Sequence, residues 1–242
     1  MQAMIFAAGL GTRLKPLTDT MPKALVKVGG KTLLEHTVET LAGAGADKMV
    51  VNVHHFARQI KDFLHDSNNF GHDISISDES GMLLDTGGGL KKAQGMFRTD
   101  EPILIHNVDI LSNVSLNDFY QDNIDADAAL LVSGRKTKRY LLFDDEMRLV
   151  GWTNIETGEV RSPYPNLDVS GCRKLAFAGI HLFSPRLFPL MDVFPDKFGI
   201  MDFYLKVCDK VRIKGVEHKS LRLIDVGKAD TINQAEDFIR NL

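Results

Sequence analysis

The chain has 242 residues, of which 44% are hydrophobic and 25% are charged, and its formal net charge at pH 7 is −3. This size and composition are typical of a globular protein with one α/β domain or two small ones. Because the balance is slightly acidic and no apolar run reaches membrane-spanning length, we expect neither nucleic acid nor a membrane as a partner.

The first predicted element is a short apolar strand that leads directly into a glycine-rich loop, Ala3-Met4-Ile5-Phe6-Ala7-Ala8-Gly9-Leu10-Gly11-Thr12-Arg13. Gly9 and Gly11 can adopt positive φ angles and let a ligand approach the backbone closely. The amide groups of such a loop form a concave anion site, to which Arg13 and Lys23 can add charge. An ordinary turn with solvated charges is the alternative, since neither the P-loop spacing nor Gly-x-Gly-x-x-Gly is present.

The motif continues through Leu14-Lys15-Pro16-Leu17-Thr18 to Pro22-Lys23-Ala24-Leu25. With the preceding loop it closely resembles the signature of the sugar-1-phosphate nucleotidylyltransferases. The resemblance implies that the nucleoside triphosphate is bound by Ala8, Gly9, Gly11 and Thr12. It also implies two catalytic cations, Arg13 on the β and γ phosphates and Lys23 on the α-phosphate.

Helical and strand patterns then alternate along the chain. The spacing of Leu34, Val38 and Leu41 predicts a helix, residues 48–53 a strand, residues 56–64 an amphipathic helix, and residues 73–77 another strand. Strands separated by helices imply parallel pairing with right-handed crossovers. Ligands of such sheets bind at the carboxyl ends of the strands, where the glycine-rich loop lies.

Three glycines open the next helix in Asp85-Thr86-Gly87-Gly88-Gly89. Without side chains, this segment leaves room for a flat ring whose edge backbone groups can contact, although a flexible turn at a helix start is an equal alternative. The segment resembles that of the family branch that handles N-acetylmuramate 1-phosphate and mannose 1-phosphate. The resemblance implies contacts with the nucleobase at Gly88 and, more loosely, at Gly87.

Asp109 ends the most apolar strand of the chain, residues 102–111. A carboxylate at the end of a buried strand is costly unless it is paired or bound to a metal, although it can also cap the following turn. The family has Asn-Gly-Asp here, and Asn107 and Asp109 match it. The resemblance implies that Asp109 holds Mg²⁺, while Val108 replaces the family's glycine.

The second half begins with a predicted hairpin over residues 139–154, followed by a polar segment, residues 156–175, that is a candidate flap over the sugar site. Gly179 lies in a segment that resembles one in which the family's glycine contacts the sugar. Asp202, near the start of a late helix, is a weaker candidate for a sugar-phosphate contact. No Glu-Lys-Pro triplet, which other family branches use to bind the sugar and its phosphate, is present.

A last alternating strand ends at Asp225, and Gly227 permits a sharp exit into the final helix. The family has Asp-Val/Ile-Gly-Thr here, so the resemblance implies that Asp225 is the second metal ligand, with Lys228 in place of the threonine. Two carboxylates, completed by water and phosphate oxygens, suit a Mg²⁺-nucleotide site. We therefore expect Mg²⁺ as the cofactor.

These elements predict an α/β protein of three layers, in which helices flank a mostly parallel, Rossmann-like twisted sheet. The resemblance implies the nucleotide-diphospho-sugar transferase fold. We expect one domain over residues 1–242, with a nucleotide-binding half (1–134), a sugar-phosphate-binding half (135–242) and no C-terminal β-helix. The two cysteines lack metal-site spacing, and the chain enters a strand at once, so we expect a cytoplasmic protein with reduced thiols.

The resemblance implies a reaction in which a sugar 1-phosphate attacks the α-phosphorus of a nucleoside triphosphate and pyrophosphate leaves. The motifs are closest to the N-acetylmuramate-1-phosphate uridylyltransferases and the mannose-1-phosphate guanylyltransferases. Two alternatives stay open: a phosphocholine cytidylyltransferase, which shares the opening signature, and a non-catalytic nucleotide-binding subunit, which Val108 favours. The residue types do not determine the base, the sugar or the oligomeric state.

Overall fold

The computed structural model of the protein describes residues 1–228 and 230–241. Six α-helices occur in these residues: α1 Leu33–Gly43, α2 Ala57–Asp66, α3 Asp85–Ala93, α4 Leu116–Gln121, α5 Ile200–Val207 and α6 Thr231–Arg240. The strands are β1 Gln2–Phe6, β2 Lys27–Val28, β3 Lys31–Thr32, β4 Lys48–Val53, β5 Ile74–Asp78, β6 Ile103–Asn107, β7 Ile110–Ser112, β8 Ala128–Ser133, β9 Arg139–Phe143, β10 Leu149–Asn154, β11 Val160–Arg161, β12 Arg173–Phe183, β13 Ile213–Glu217 and β14 Leu223–Asp225.

The central sheet is mixed, with most of its strands parallel. Strand β1 pairs in parallel with β4 and with β6, and β4 pairs in parallel with β5. The long strand β12 runs antiparallel between β6 and β8, and β8 pairs in parallel with β13. Since β12 is antiparallel to both β6 and β8, these two strands run in the same direction. Their carboxyl ends therefore lie at the same edge of the sheet as that of β1.

A smaller antiparallel pair, β7 with β14, lies beside this edge and places Asp225 opposite Ile110. The backbone amide of Val226 also donates to the carbonyl of Asp109 at 2.8 Å. This pairing brings together the two segments that carry the predicted metal ligands, although more than a hundred residues separate them in sequence.

Helices cover both faces of the sheet. Ala3 and Ile5 of β1 point into a core that includes buried residues of α1, α2 and α4, whereas Met4 and Phe6 point into a second core with α3 and α5. The two cores follow from the alternation of side chains along a strand. The predicted three-layer α/β architecture is confirmed.

The predicted hairpin over residues 139–154 is also present, as the antiparallel pair β9 and β10. The strand predicted at residues 48–53 coincides with β4. Within the residues that the structure describes, no helix is both long and apolar enough to cross a membrane.

Candidate active site

A cavity of about 550 Å³ opens at the carboxyl ends of β1, β4 and β6. Its wall includes residues 6–13 of the opening motif, Lys23, Asn52, the segment Leu83, Asp85 and Thr86, residues 107–109, Gly199 and Gly227. The cavity thus lies where parallel α/β sheets bind their ligands. Four of the predicted nucleotide-binding residues, Ala8, Gly9, Gly11 and Thr12, line it together with both predicted catalytic cations.

The glycine-rich loop is held by its own backbone and by a threonine. Gly11 has a φ angle of +63°, and its carbonyl accepts hydrogen bonds from the Thr18 hydroxyl and the Leu14 amide, each at 2.8 Å. A side chain at Gly11 would meet Thr18 Cγ2 at 2.9 Å. At Gly9, by contrast, a Cβ would meet no atom within 4 Å. Glycine is required at Gly11 by the fold, whereas at Gly9 it leaves the cavity side of the loop bare.

Two carboxylates and two cations form the charged end of the site. Lys23 Nζ forms an ion pair with Asp109 Oδ2. A Cβ at Gly227 would lie 2.6 Å from Asp225 Oδ1 and 2.8 Å from Arg13 Nη2, so both side chains lie beside the Gly227 backbone. The four charged residues predicted from sequence are thus close together: Arg13, Lys23, Asp109 and Asp225.

The environment of Asp225 is unfavourable for its charge. Burial raises the pKa of Asp225, the charge of Asp109 raises it further, and the cations of Lys23 and Arg13 oppose the shift. Its Oδ1 atom is buried and has no hydrogen-bond partner among residues 1–228 and 230–241. An orphaned carboxylate oxygen beside a second carboxylate is a donor set that can accept a hard cation.

The donor set fits Mg²⁺ better than a softer metal. Mg²⁺ is bound through one or two carboxylates, with water and substrate phosphates as the other ligands. No cluster of three or more His, Cys, Asp or Glu side chains that could hold a metal occurs in the described part of the chain. Asp109 and Asp225 therefore suit a cation that arrives with a polyphosphate, and not one held by a complete protein cage.

Val108, which replaces the family's glycine, belongs to the cavity wall but is largely buried. Its side chain is 4% exposed and belongs to the core beneath α1. Its amide donates to the Phe6 carbonyl at 3.2 Å, and its carbonyl accepts from the Thr37 hydroxyl at 3.3 Å. Because the core accommodates the valine side chain, Val108 no longer favours a non-catalytic subunit.

Gly87 and Gly88 lie apart from the cavity wall, inside the first turn of α3. Both of their amides donate to the Phe198 carbonyl, at 2.9 and 3.1 Å. A Cβ at Gly87 would collide with the Phe198 ring, and one at Gly88 would collide with the Asp196 carbonyl. These glycines let α3 pack against residues 196–198, and their amides are already engaged within the protein. The residues of this segment that face the cavity are Leu83, Asp85 and Thr86.

Gly179 and Asp202 lie in the second half of the chain, and neither contributes to the described cavity wall. Gly179 has a φ angle of +80°, and a Cβ there would meet Ile110 Cγ1 at 2.8 Å and Asn107 Nδ2 at 3.0 Å. Asp202 accepts hydrogen bonds from Arg161 Nη2 at 2.5 Å and from the Gly199 amide at 3.3 Å. Their sugar-phosphate roles stay predictions. The contacts within the protein already explain a glycine at position 179 and an aspartate at position 202.

Sequence reasoning missed part of the wall opposite the glycine-rich loop. Asp85 adopts a φ angle of +59°, which is uncommon for a residue with a side chain, and it lines the cavity. Thr86 Oγ1 accepts a hydrogen bond from the Ile200 amide at 2.9 Å and so joins α3 to the start of α5. The sequence signal for both residues was their position next to the three glycines, whose nucleobase contacts stay a prediction.

A family model described as nucleotidyl transferase matches residues 2–140, more than half of the chain. The chain belongs to the nucleotidyl transferase family. Its members transfer nucleotidyl groups, and the chain is an enzyme of this class.

Individual members of the family are similar over longer or shorter parts of the chain. An N-acetylmuramate alpha-1-phosphate uridylyltransferase of Neisseria meningitidis serogroup B is 32% identical over 189 residues, which are 78% of this chain and 77% of that protein. A Caulobacter vibrioides protein of the same name is 43% identical over 109 residues, 44% of this chain and 45% of its own length. A mannose-1-phosphate guanyltransferase of Kluyveromyces lactis is 27% identical over 245 residues, 99% of this chain and 63% of that protein.

Solved structures show the same fold. A putative glucose-1-phosphate thymidylyltransferase from Bacillus anthracis superimposes with a TM-score of 0.81 over 100% of this chain and 96% of that chain, at 16% identity. The chain therefore has the Rossmann-like nucleotide-sugar transferase fold that the opening motif predicted.

Proposed function

We propose that this nucleotidyl transferase is Mg²⁺-dependent and makes a nucleoside-diphosphate sugar and pyrophosphate from a nucleoside triphosphate and a sugar 1-phosphate. The observation that carries the proposal is the convergence in one cavity wall of a glycine-rich loop, two cations and the Asp109 carboxylate, with the Asp225 carboxylate next to Gly227 of that wall. This combination suits a reaction between two phosphorylated anions, in which the protein must position them and neutralise their charge.

The preferred substrates are N-acetylmuramate 1-phosphate with UTP, followed by mannose 1-phosphate with GTP. The first pair is supported by the uridylyltransferase from Neisseria meningitidis, which is similar over three quarters of both chains. The second is supported by the guanyltransferase of Kluyveromyces lactis, whose similarity extends along nearly all of this chain.

In the proposed reaction, an oxygen of the sugar 1-phosphate attacks the α-phosphorus in line, and the bond from that phosphorus to the β-phosphate bridging oxygen breaks. Pyrophosphate leaves with the electron pair. Because the nucleophile is already an anion, no general base is needed. Arg13 binds the β and γ phosphates and stabilises the leaving pyrophosphate, while Lys23 leaves Asp109 and contacts the α-phosphate.

Asp109 and Asp225 would hold the Mg²⁺ ion. When bound, the ion supplies charge neutralisation to the phosphates. A bound cation would give the unpartnered Asp225 carboxylate a partner and would reduce the repulsion between Asp225 and Asp109. The backbone amides of the glycine-rich loop can donate hydrogen bonds to the phosphate oxygens.

The test is pyrophosphate release in a grid of substrates, with UTP, CTP, GTP, ATP and dTTP each offered N-acetylmuramate 1-phosphate, mannose 1-phosphate, glucose 1-phosphate and phosphocholine. We expect one productive pair with a sugar 1-phosphate, which EDTA and Asp109→Asn both abolish. Asp66→Asn, which removes an exposed carboxylate on α2, is the matched control and should retain full activity. Turnover that survives EDTA or Asp109→Asn would refute the metal assignment, and turnover with phosphocholine alone would refute the sugar substrate.

A further inference from the structure

Glu79 is a buried carboxylate that the proposed chemistry does not use. It follows β5 and is only 1% exposed. Its Oε1 accepts a hydrogen bond from Asn52 Nδ2 at 2.7 Å, and its Oε2 accepts one from the Leu84 amide at 3.2 Å. Asn52, at 2% exposure, accepts in turn from the Ala7 amide through Oδ1 at 2.8 Å. Three hydrogen bonds thus lead from Ala7 to Leu84 without a gap.

This chain of bonds, the Asn52–Glu79 bridge, joins two opposite walls of the cavity. Ala7 lines the cavity at the start of the glycine-rich loop. Leu84 directly precedes Asp85 and Thr86, which line the other wall. Gly89 of α3 makes room for the bridge, because a Cβ there would lie 2.5 Å from Glu79 Oε1 and 2.9 Å from Asn52 Nδ2. The three glycines of α3 therefore allow two close contacts: Gly87 and Gly88 pack against residues 196–198, and Gly89 packs against the Asn52–Glu79 bridge.

The bridge has a fixed pattern of donors and acceptors. Both of its ends are backbone N–H groups, which can only donate. Asn52 offers one acceptor and one donor, so its partner must accept at both ends. An ionised carboxylate can do this. A glutamine cannot, because its NH2 group only donates and would face another donor; a protonated carboxyl group is a poorer acceptor at its O–H oxygen. The hydrogen bonds from Asn52 and Leu84 accordingly favour a charged Glu79, while its burial acts in the opposite direction and raises its pKa.

We propose that Asn52 and Glu79 are positioning residues that fix the spacing between the glycine-rich loop and the wall formed by residues 83–86, and thereby set the affinity for the nucleoside triphosphate. The proposal rests on the proposed function, since it takes the cavity to be the nucleotide site. A change in Asn52 or Glu79 should alter the free energy of nucleotide binding and not the chemical step, because neither residue is assigned a contact with the reacting phosphates. A purely structural role would instead change folding stability alone.

The decisive comparison is a swap of the two side-chain types. Glu79→Gln places a donor against a donor, and Asn52→Asp places two carboxylate oxygens against each other. In the double variant, the new Asp accepts from the Ala7 amide and from the Gln amide group, and the Gln oxygen accepts from the Leu84 amide. All three hydrogen bonds return with the same net charge, and a double-mutant cycle measures the coupling.

Binding is measured by calorimetry with UTP and with GTP, each with Mg²⁺ and without a sugar phosphate, so that no turnover is needed. We expect Glu79→Gln to raise the Kd of the nucleotide that the wild type binds by about tenfold, which corresponds to about 1.4 kcal/mol and lies within the cost of an unsatisfied buried donor. The KM of the sugar 1-phosphate should change by less than about twofold, and the double variant should recover most of the lost nucleotide affinity and of the melting temperature.

Two results would overturn the proposal. If Glu79→Gln lowers the melting temperature but binds the nucleotide as tightly as the wild type, the bridge is structural only. If the double variant is no better than the two single variants, the donor and acceptor pattern is not what matters. A wild-type protein that binds neither nucleotide would instead refute the proposed function, so the two failures are distinguishable.

Discussion

Replacing Lys23 by methionine is expected to lower both turnover and the stability of the protein without ligands, and at the same time to increase the stabilisation by Mg²⁺. Lys23 forms an ion pair with Asp109, and its cation also opposes the raised pKa of Asp225. Without this lysine, two neighbouring carboxylates are left with less positive charge near them. A Mg²⁺ ion could then bind Asp109 without displacing an ammonium group.

The size of the effect follows from the burial of the pair, since the side chains of Lys23 and Asp109 are 11% and 18% exposed. Exposed pairs contribute roughly 0.2–1 kcal/mol, whereas breaking a buried pair costs about 3–5 kcal/mol. We therefore expect a loss of about 2 kcal/mol in the free energy of unfolding, which for a chain of this length lowers Tm by about 4–8 °C. Losing one charge that stabilises the transition state should lower kcat by about 10²–10³.

The assay is thermal unfolding followed over a Mg²⁺ titration, with kcat measured in parallel. Lys31→Met is the matched control, because Lys31 and Glu39 form an ion pair whose side chains are 46% and 47% exposed. It should melt close to the wild-type temperature and leave the Mg²⁺ response unchanged. The reasoning is wrong if Lys23→Met melts like Lys31→Met, or if Mg²⁺ stabilises it no more than the wild type.

Two further predictions concern Asp225 and the glycines of α3. Because burial raises the pKa of Asp225, this carboxyl binds more protons in the native state than in the unfolded chain between the two pKa values. Its own contribution to stability therefore falls as the pH rises above about 4. Asp225→Asn should therefore abolish turnover yet stabilise the ligand-free protein, by more at pH 7 than at low pH; equal stability across a pH series of unfolding curves would contradict this. Gly88→Ala should cost about 1–3 kcal/mol by overpacking against the Asp196 carbonyl, as measured by urea unfolding, whereas Gly95→Ala has open space around it and should be near neutral.

The opening motif and the local periodicities were sufficient to predict the fold class. An apolar run before a glycine-rich loop specifies a buried strand that presents backbone at its carboxyl end, and the alternation of period-2 and period-3.6 patterns specifies strands and helices. Residues 48–53 and the hairpin of residues 139–154 were predicted correctly for this reason. Arg13 and Lys23 were also predicted from sequence, through the opening motif, and Asp109 through its place at the end of an apolar strand.

The placement of Asp225 was different. Sequence reasoning selected it through its family motif, but only the pairing of β7 with β14 brings it beside Asp109. Such pairings join segments that are distant along the chain, and local periodicity carries no information about which strands will meet.

The α3 segment and the Asn52–Glu79 bridge show where sequence reasoning stopped. Three consecutive glycines indicated close approach, but the partner could have been a base or the protein itself, and the structure shows residues 196–198 packed against Gly87 and Gly88. Glu79 looked like one of many acidic residues until its burial and its two hydrogen-bond donors were visible. The sequence by itself indicated most of the helices and strands, the fold class and the charged residues proposed for the site. The tertiary structure alone decided which groups touch, because burial and hydrogen-bond partners depend on contacts between elements far apart in the chain.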